Sequence, residues 1–502
     1  MNSVLKRSCN AALLCIGFLW VAPKVSAQQA QLESTIPLYR PNQSPYMARS
    51  PRVNLVDAGS GKIHVSAAMP SFSLSSKNSG FSTHTILRLD SVQSDTMRHI
   101  VSQRTIRNAS YFYQVGFVSF GDSLVYLYQK FEEEKQRVQL MLITATHDTA
   151  YAPVSLLDVK CDDIRQFEAR LTRSKNGFAV VYMQLEDRTN ARATLTWKVF
   201  DRQQKERYER SEKLNFGGGE VELLDAVLTP EFVVLTTLNH INSSQMGDAV
   251  SYYVCSEERT AVFQGRVLPM RSKVLSESWV RYRPDSTDFV LHHLVSKGKG
   301  TIPHTYSVAR IPLERVDQVS LHSVKFAPEL NEEWKNDVRP FTPFFAKAWS
   351  YMGQLLQQDG SKATLIAGLD QNKEDKVVLT QLLLVPDAPG LDAKVKSINI
   401  AVSNDFYSSA VGRVSWPEYG SVVLFHGPGR PEGSKKLVSG SIPMAVWISE
   451  SGFDVPVSLP VPLDCKGGVY YEGAYALPEK GVFLLPYRTK EGIAIATYRL
   501  TK

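Results

Sequence analysis

Residues 178–182 read Phe-Ala-Val-Val-Tyr, residues 232–235 Phe-Val-Val-Leu and residues 289–291 Phe-Val-Leu. Short β-branched and aromatic runs bounded by turn residues are the signature of strands buried on both faces. Comparable runs begin at Leu124, Thr364, Val422 and Val482, with a weaker early copy at Ile63-His64-Val65. From Phe178 to Phe232 the step is 54 residues, and from Phe232 to Phe289 it is 57. From Thr364 to Val422 it is 58, and from Val422 to Val482 it is 60. The step from Phe289 to Thr364 is 75, which places extra chain between them. Residues 326–346, which carry Pro328, Pro340 and Pro343, are the expected insertion.

An alternating stretch and a tight turn precede each run, as with Ala169-Arg170-Leu171 before Asn176-Gly177. A polar tip and another apolar run follow, as with Leu195–Phe200 and Ala445–Ile448. No 3.6-residue periodicity is sustained, which argues against helical layers. Eight units of this kind, each too thin to bury both of its faces, must stack on their neighbours around a ring. The pattern resembles β-propellers in general, and the fold class expected is all-β, a propeller of eight blades. The eighth unit ends at Ile493–Leu500, one strand short, and a segment near Ile36–Tyr39 is expected to complete it and remove two free edges. Seven blades with an N-terminal strand pair are the first alternative, and two stacked β-sandwiches the second.

At the N-terminus Lys6 and Arg7 precede an apolar stretch, Ala11–Ala22, and Val25-Ser26-Ala27 offers small residues before Gln28. That is the layout of a cleaved secretory signal over residues 1–27, and the stretch is short for a membrane span. The expectation is one propeller domain over 28–502, not membrane-spanning, exported to the periplasm or outer surface of a Gram-negative bacterium. Loss of Lys6, Arg7 and Lys24 takes the formal charge from +7 to +4, too mild an excess to argue for nucleic acid. Cys161, Cys255 and Cys465 remain, an odd number that cannot form a complete disulfide framework, so packing must hold the fold.

Function is expected on loops that a rigid scaffold presents. The tips between second and third strands differ in length and charge. Candidate partner-binding residues on them are Phe72, Phe81, Lys297, Lys299 and His304, with Arg430, Lys435 and Lys436 in the GPGRPEGSKK stretch. A protein or glycan partner suits such a surface. Catalytic signals are weak and no cofactor is implied. Gly121-Asp122-Ser123-Leu124 resembles the nucleophile block of the GDSL hydrolases, but the Asp-x-x-His block those enzymes need is absent, and a serine without a base is a weak nucleophile. His292 and His293 point to opposite faces of a strand and cannot share a metal as neighbours; one is expected to pack and the other to be exposed. Asp370, Asn372, Glu374 and Asp375 lack the glycine and closing glutamate of a calcium loop.

Asp followed by Ser or Thr and then Val, Met, Leu or a small residue occurs at Ser91, Thr96, Ser123, Thr149 and Ser286. The motif resembles the O-glycosylation sequon of Bacteroidota, which implies an exported glycoprotein resembling those of that group. The functional expectation is a non-enzymatic binding or scaffold protein of the cell envelope. The alternative is a glycan-active hydrolase or lyase with acids and bases spread over several blades.

Overall fold

The computed structural model describes residues 29–39, 52–57, 63–72, 80–89, 98–107, 111–120, 123–132, 135–146, 152–187, 192–215, 220–240, 249–258, 262–267, 274–283, 287–296, 303–325, 348–357, 362–371, 377–386, 396–403, 411–416, 420–429, 438–449, 452–454, 456–477, 481–490 and 492–501. These residues form eight antiparallel sheets in chain order, here called blades 1 to 8. Blade 1 comprises Arg52–Asp57, Ile63–Phe72, Gly80–Leu89 and Arg98–Arg107. Blade 2 comprises Tyr111–Phe120, Ser123–Glu132, Arg137–Thr146 and Val154–Lys160. Blade 3 follows as Phe167–Arg173, Gly177–Asp187, Arg192–Asp201 and Glu206–Asn215. Blade 4 is Glu220–Leu228, Phe232–His240, Ala249–Ser256 and Phe263–Val267. Blade 5 is Val274–Arg283, Asp288–Ser296, Pro303–Pro312 and Ser320–Lys325. Blade 6 is Ala348–Leu356, Lys362–Gln371, Val377–Pro386 and Lys396–Ser403. Blade 7 is Val411–Trp416, Gly420–Gly429 and Val438–Ser449, with Gly452–Phe453 and Val457–Ser458 as two short outer pieces. Blade 8 begins with Cys465–Val469 and Tyr475–Leu477, continues with Val482–Thr489 and Ile493–Thr501, and is completed by Gln29–Tyr39.

The second strands are the apolar runs of the sequence, and they are buried on both faces because a blade packs on either side. In blade 5, Phe289, Leu291 and Val295 pack toward blade 4, while Val290 and Leu294 pack toward blade 6. The fourth strands face solvent on their outer edge. Blade 3 ends in Glu-Arg-Tyr-Glu-Arg-Ser-Glu-Lys-Leu-Asn, where Arg207, Glu209, Glu212 and Lys213 are exposed. Charge along an outer edge discourages pairing with another chain.

First strands line the axis. From blade 2 round to blade 8, each first strand lies against the next, and the single turn Tyr471–Gly473 of blade 8 lies against the first strand of blade 1. The backbones approach so closely there that a Cβ on Gly473 would stand 2.4 Å from the Val53 carbonyl oxygen. Glycine is the residue that permits this contact.

Closure by the N-terminal strand is as anticipated, but over a longer stretch than Ile36–Tyr39: Gln29 lies opposite Thr501 and Tyr39 opposite Ile493. A register shift between Leu32 and Ser34 leaves Glu33 as an extra residue. One extra residue exchanges the faces of everything beyond it. Ala30 and Leu32 therefore pack at the seam of blades 7 and 8. Beyond the bulge, Ile36 joins Val53, Leu55, Ile63 and Val65 of blade 1 and Leu484 and Ile495 of blade 8. The insertion 326–346 and the segment 1–27 lie outside the described residues.

Candidate functional site

Successive strands of each blade alternate in direction, so loops alternate between two rims. Tips between second and third strands share one rim with the connectors from blade to blade. Phe72 ends the second strand of blade 1, and Phe81 lies opposite Ser71 in the third. His304 lies at the start of the third strand of blade 5. Lys297 and Lys299, between Ser296 and Pro303, and Arg430, Lys435 and Lys436, between Gly429 and Val438, lie outside the described residues. The strand ends that bracket them belong to the same rim. The described candidates, Phe72, Phe81 and His304, lie at strand ends of one rim, in blades 1 and 5.

Ser123 opens the second strand of blade 2, half-buried, opposite Phe120 and Thr146. Ser91, Thr96, Thr149 and Ser286 lie outside the described residues. Ser123 stands at the first-to-second end of blade 2, on the opposite rim.

Along the axis the first strands carry a set of polar side chains that the sequence did not single out. Pairing in blade 4 jumps from Leu223 to Asp225, which leaves Leu224 bulged. In blade 6 it jumps from Tyr351 to Gly353, which leaves Met352 bulged. A bulge takes a backbone carbonyl out of the ladder, and a buried carbonyl needs a donor. Arg170 of blade 3 supplies it in the first case, with Nε donating to the Leu224 oxygen at 3.3 Å and Nη2 to the Leu223 oxygen at 2.7 Å. Glu168 accepts from the Leu223 N–H at 2.8 Å, and Thr172 Oγ1 accepts from the Leu228 N–H at 3.3 Å. Arg413 of blade 7 supplies the donor in the second case, from Nη1 to the Met352 oxygen. Guanidiniums suit this task because their planar fork reaches several acceptors at once.

Two further groups continue the arc. Asp225 accepts from the Ala226 N–H at 2.8 Å and from the Val280 N–H of blade 5. Burial pushes its carboxyl up to about 6, against the opposing pull of those donors and of Arg170 and Arg281. Arg281 of blade 5 donates from Nη2 to the Tyr351 hydroxyl at 3.0 Å and to Thr364 Oγ1 at 2.8 Å, with its guanidinium carbon 5.5 Å from the Tyr351 ring centre. The innermost edges are thus tied to neighbouring blades by side chains.

His292 and His293 correct an expectation. Both are buried, at 2% and 0% exposure, because each face of the strand is covered by a different neighbouring blade. His292 lies 5.2 Å from the Trp279 ring and hydrogen-bonds the Tyr306 hydroxyl through Nδ1 at 2.6 Å. Trp279 stacks in turn on Tyr351 at 5.2 Å. His293 Nδ1 hydrogen-bonds Ser278 at 2.8 Å. Burial lowers both imidazoles, His293 to about 3, so they are neutral at physiological pH. Cys161, Cys255 and Cys465 are free thiols, and burial pushes Cys255 up to about 12. Among the described residues no three His, Cys, Asp or Glu gather as metal ligands, and no helix is long and apolar enough to cross a membrane.

No family model matches the chain, and no curated protein matches it. Among solved structures, the chain is similar to the β-propeller domain of the Trilobed protease from Pyrococcus furiosus, at 10% identity over 84% of this chain and 97% of that one, with a TM-score of 0.35. It is similar to a Penicillium chrysogenum alpha-L-arabinanase complexed with arabinobiose, at 11% identity over 59% and 98% of the two chains, with a TM-score of 0.31. It is also similar to a variant of the Synechocystis apocarotenoid oxygenase, at 12% identity over 55% of this chain and 61% of that chain's length, with a TM-score of 0.30. Sheet pairing and the axial seams, independently of those likenesses, make the chain an all-β protein of the β-propeller class.

Proposed function

We propose that the protein is a non-enzymatic binding scaffold of the cell envelope, exported to the periplasm or outer surface of a Gram-negative bacterium, that takes up a protein or glycan partner on one rim. The observation that carries this reading is a division of labour. Polar side chains at the axis, such as Arg170, Glu168, Thr172 and Arg413, hold neighbouring blades together through backbone hydrogen bonds. Recognition then falls to the unequal tips between second and third strands, whose sequences carry Phe72, Phe81, Lys297, Lys299, Arg430, Lys435 and Lys436. The test uses the mature chain as bait against envelope extracts and on a glycan array, beside a variant carrying Lys297→Glu, Lys299→Glu, Arg430→Glu, Lys435→Glu and Lys436→Glu. A partner or glycan retained by the parent and lost by the variant, at an unchanged unfolding midpoint, supports the reading. No specific partner for the parent, or equal retention by both, counts against it.

One observation favours the second reading, a glycan-active hydrolase or lyase. Asp225 is a carboxyl brought up to about 6, in the range of a general acid, on an axial strand. Turnover of a polysaccharide that Asp225→Asn abolishes without unfolding would favour it over the scaffold.

A further inference from the structure

The seam of blades 5, 6 and 7 at the axis holds two guanidiniums on either side of one phenol. Arg281 approaches Tyr351 from blade 5, at 3.0 Å from its hydroxyl. Arg413 approaches from blade 7, and the charges of both arginines act on each other. The approach of Arg413 is built into the backbone. Gly353 adopts φ +119° beside the Met352 bulge, and a Cβ at Gly353 would fall inside the Arg413 guanidinium. Neighbouring protein holds the guanidinium below its ordinary value, and the side chain is nonetheless exposed. Its charge persists, because guanidinium does not deprotonate in proteins. One of its five N–H groups meets the Met352 oxygen, and no carboxylate among the described residues pairs with it. Asp225 accepts from the Val280 N–H of blade 5, and the charge of Arg281 acts on its carboxyl.

We propose that this seam is an oxyanion-binding site, in which the guanidiniums of Arg413 and Arg281, flanking Tyr351, hold one phosphate or carboxylate group. Two cations held near each other attract ions of the opposite sign, and a guanidinium fork matches two oxygens of either group. The site lies at the axis and does not depend on partner binding at the rim.

Calorimetric titration of the mature chain with inorganic phosphate, and separately with galacturonate, tests the proposal and distinguishes the source of the oxygens. Saturable binding of either probe is expected, weakening by at least ~10-fold in Arg413→Gln and by less in Arg413→Lys, which keeps the charge and loses the fork. A measurement on the parent chain guards against unfolding of the variants: the probe that binds should slow modification of Arg413 by phenylglyoxal, followed by mass spectrometry. Saturation by neither probe, unchanged binding in a folded Arg413→Gln variant, or an unprotected Arg413 would overturn the assignment.

Discussion

Gln129 sits in the second strand of blade 2 on the face that carries Val125, Leu127 and Phe131 against blade 3, fully buried, with neither amide atom hydrogen-bonded. A buried polar group without a partner costs about 1–3 kcal/mol. Gln129→Met keeps the length and removes the unmet bonds. It should raise stability by about 1–2 kcal/mol in denaturant unfolding, whereas a loss would mean that the amide has a partner such as a buried water. Asp225 yields a pH dependence of definite sign. Its carboxyl is raised from 3.8 to about 6 in the folded chain, so the native state holds the proton more tightly than the unfolded state. Stability from this group is greatest below the lower value, declines as pH rises toward about 6, and is level beyond it. The buried histidines act oppositely, since their lowered values remove stability as pH falls below the ordinary imidazole range. The comparison must therefore be the difference between parent and Asp225→Asn. That difference should shift in favour of the variant by on the order of 2 kcal/mol between pH 4 and pH 6, and a flat difference would contradict the burial assigned to Asp225.

At the scale of the element, a bulge in a first strand and an arginine from the flanking blade form a recurring device. Arg170 reaches Leu224 across 54 residues of sequence, and Arg413 reaches Met352 across 61. Gly353→Ala probes the device at its tightest point, where both the positive φ and the lack of space oppose a side chain. A loss of about 1–3 kcal/mol is expected. Because the added methyl meets Arg413, the loss should be less than additive with Arg413→Ala. Strict additivity would mean that the two residues do not touch. These devices were not legible in the sequence: an arginine in an alternating strand is ordinary, and its acceptor is named only when the next blade is in place. The second strands were legible because burial on both faces writes an unbroken apolar run, as at Phe178–Tyr182 and Phe232–Leu235. The same double burial covers His292 and His293, and strand alternation alone does not tell whether either face meets water.

At the scale of the molecule, the first strand of the described chain closes its last sheet. The N-terminal strand is the last strand of the last sheet, and its bulge at Glu33 lets it face blade 7 with Leu32 and blade 1 with Ile36. The sequence pointed to this strand through the missing partner of Ile493–Leu500, while its start at Gln29 and its bulge depend on contacts with two blades at once. The loops were legible as loops; their division between two rims follows only from the pairing of the strands. The most direct test of closure is a cross-link between Ala30→Cys and Leu500→Cys, a directly opposed pair, in a chain of residues 28–502 whose Cys161, Cys255 and Cys465 are replaced by alanine. A closed ring predicts an intramolecular disulfide that forms in the folded chain, closes it into a loop of altered electrophoretic mobility, and raises the unfolding midpoint. Two thiols that stay free under oxidation, in a chain that remains folded, would contradict closure by the N-terminal strand.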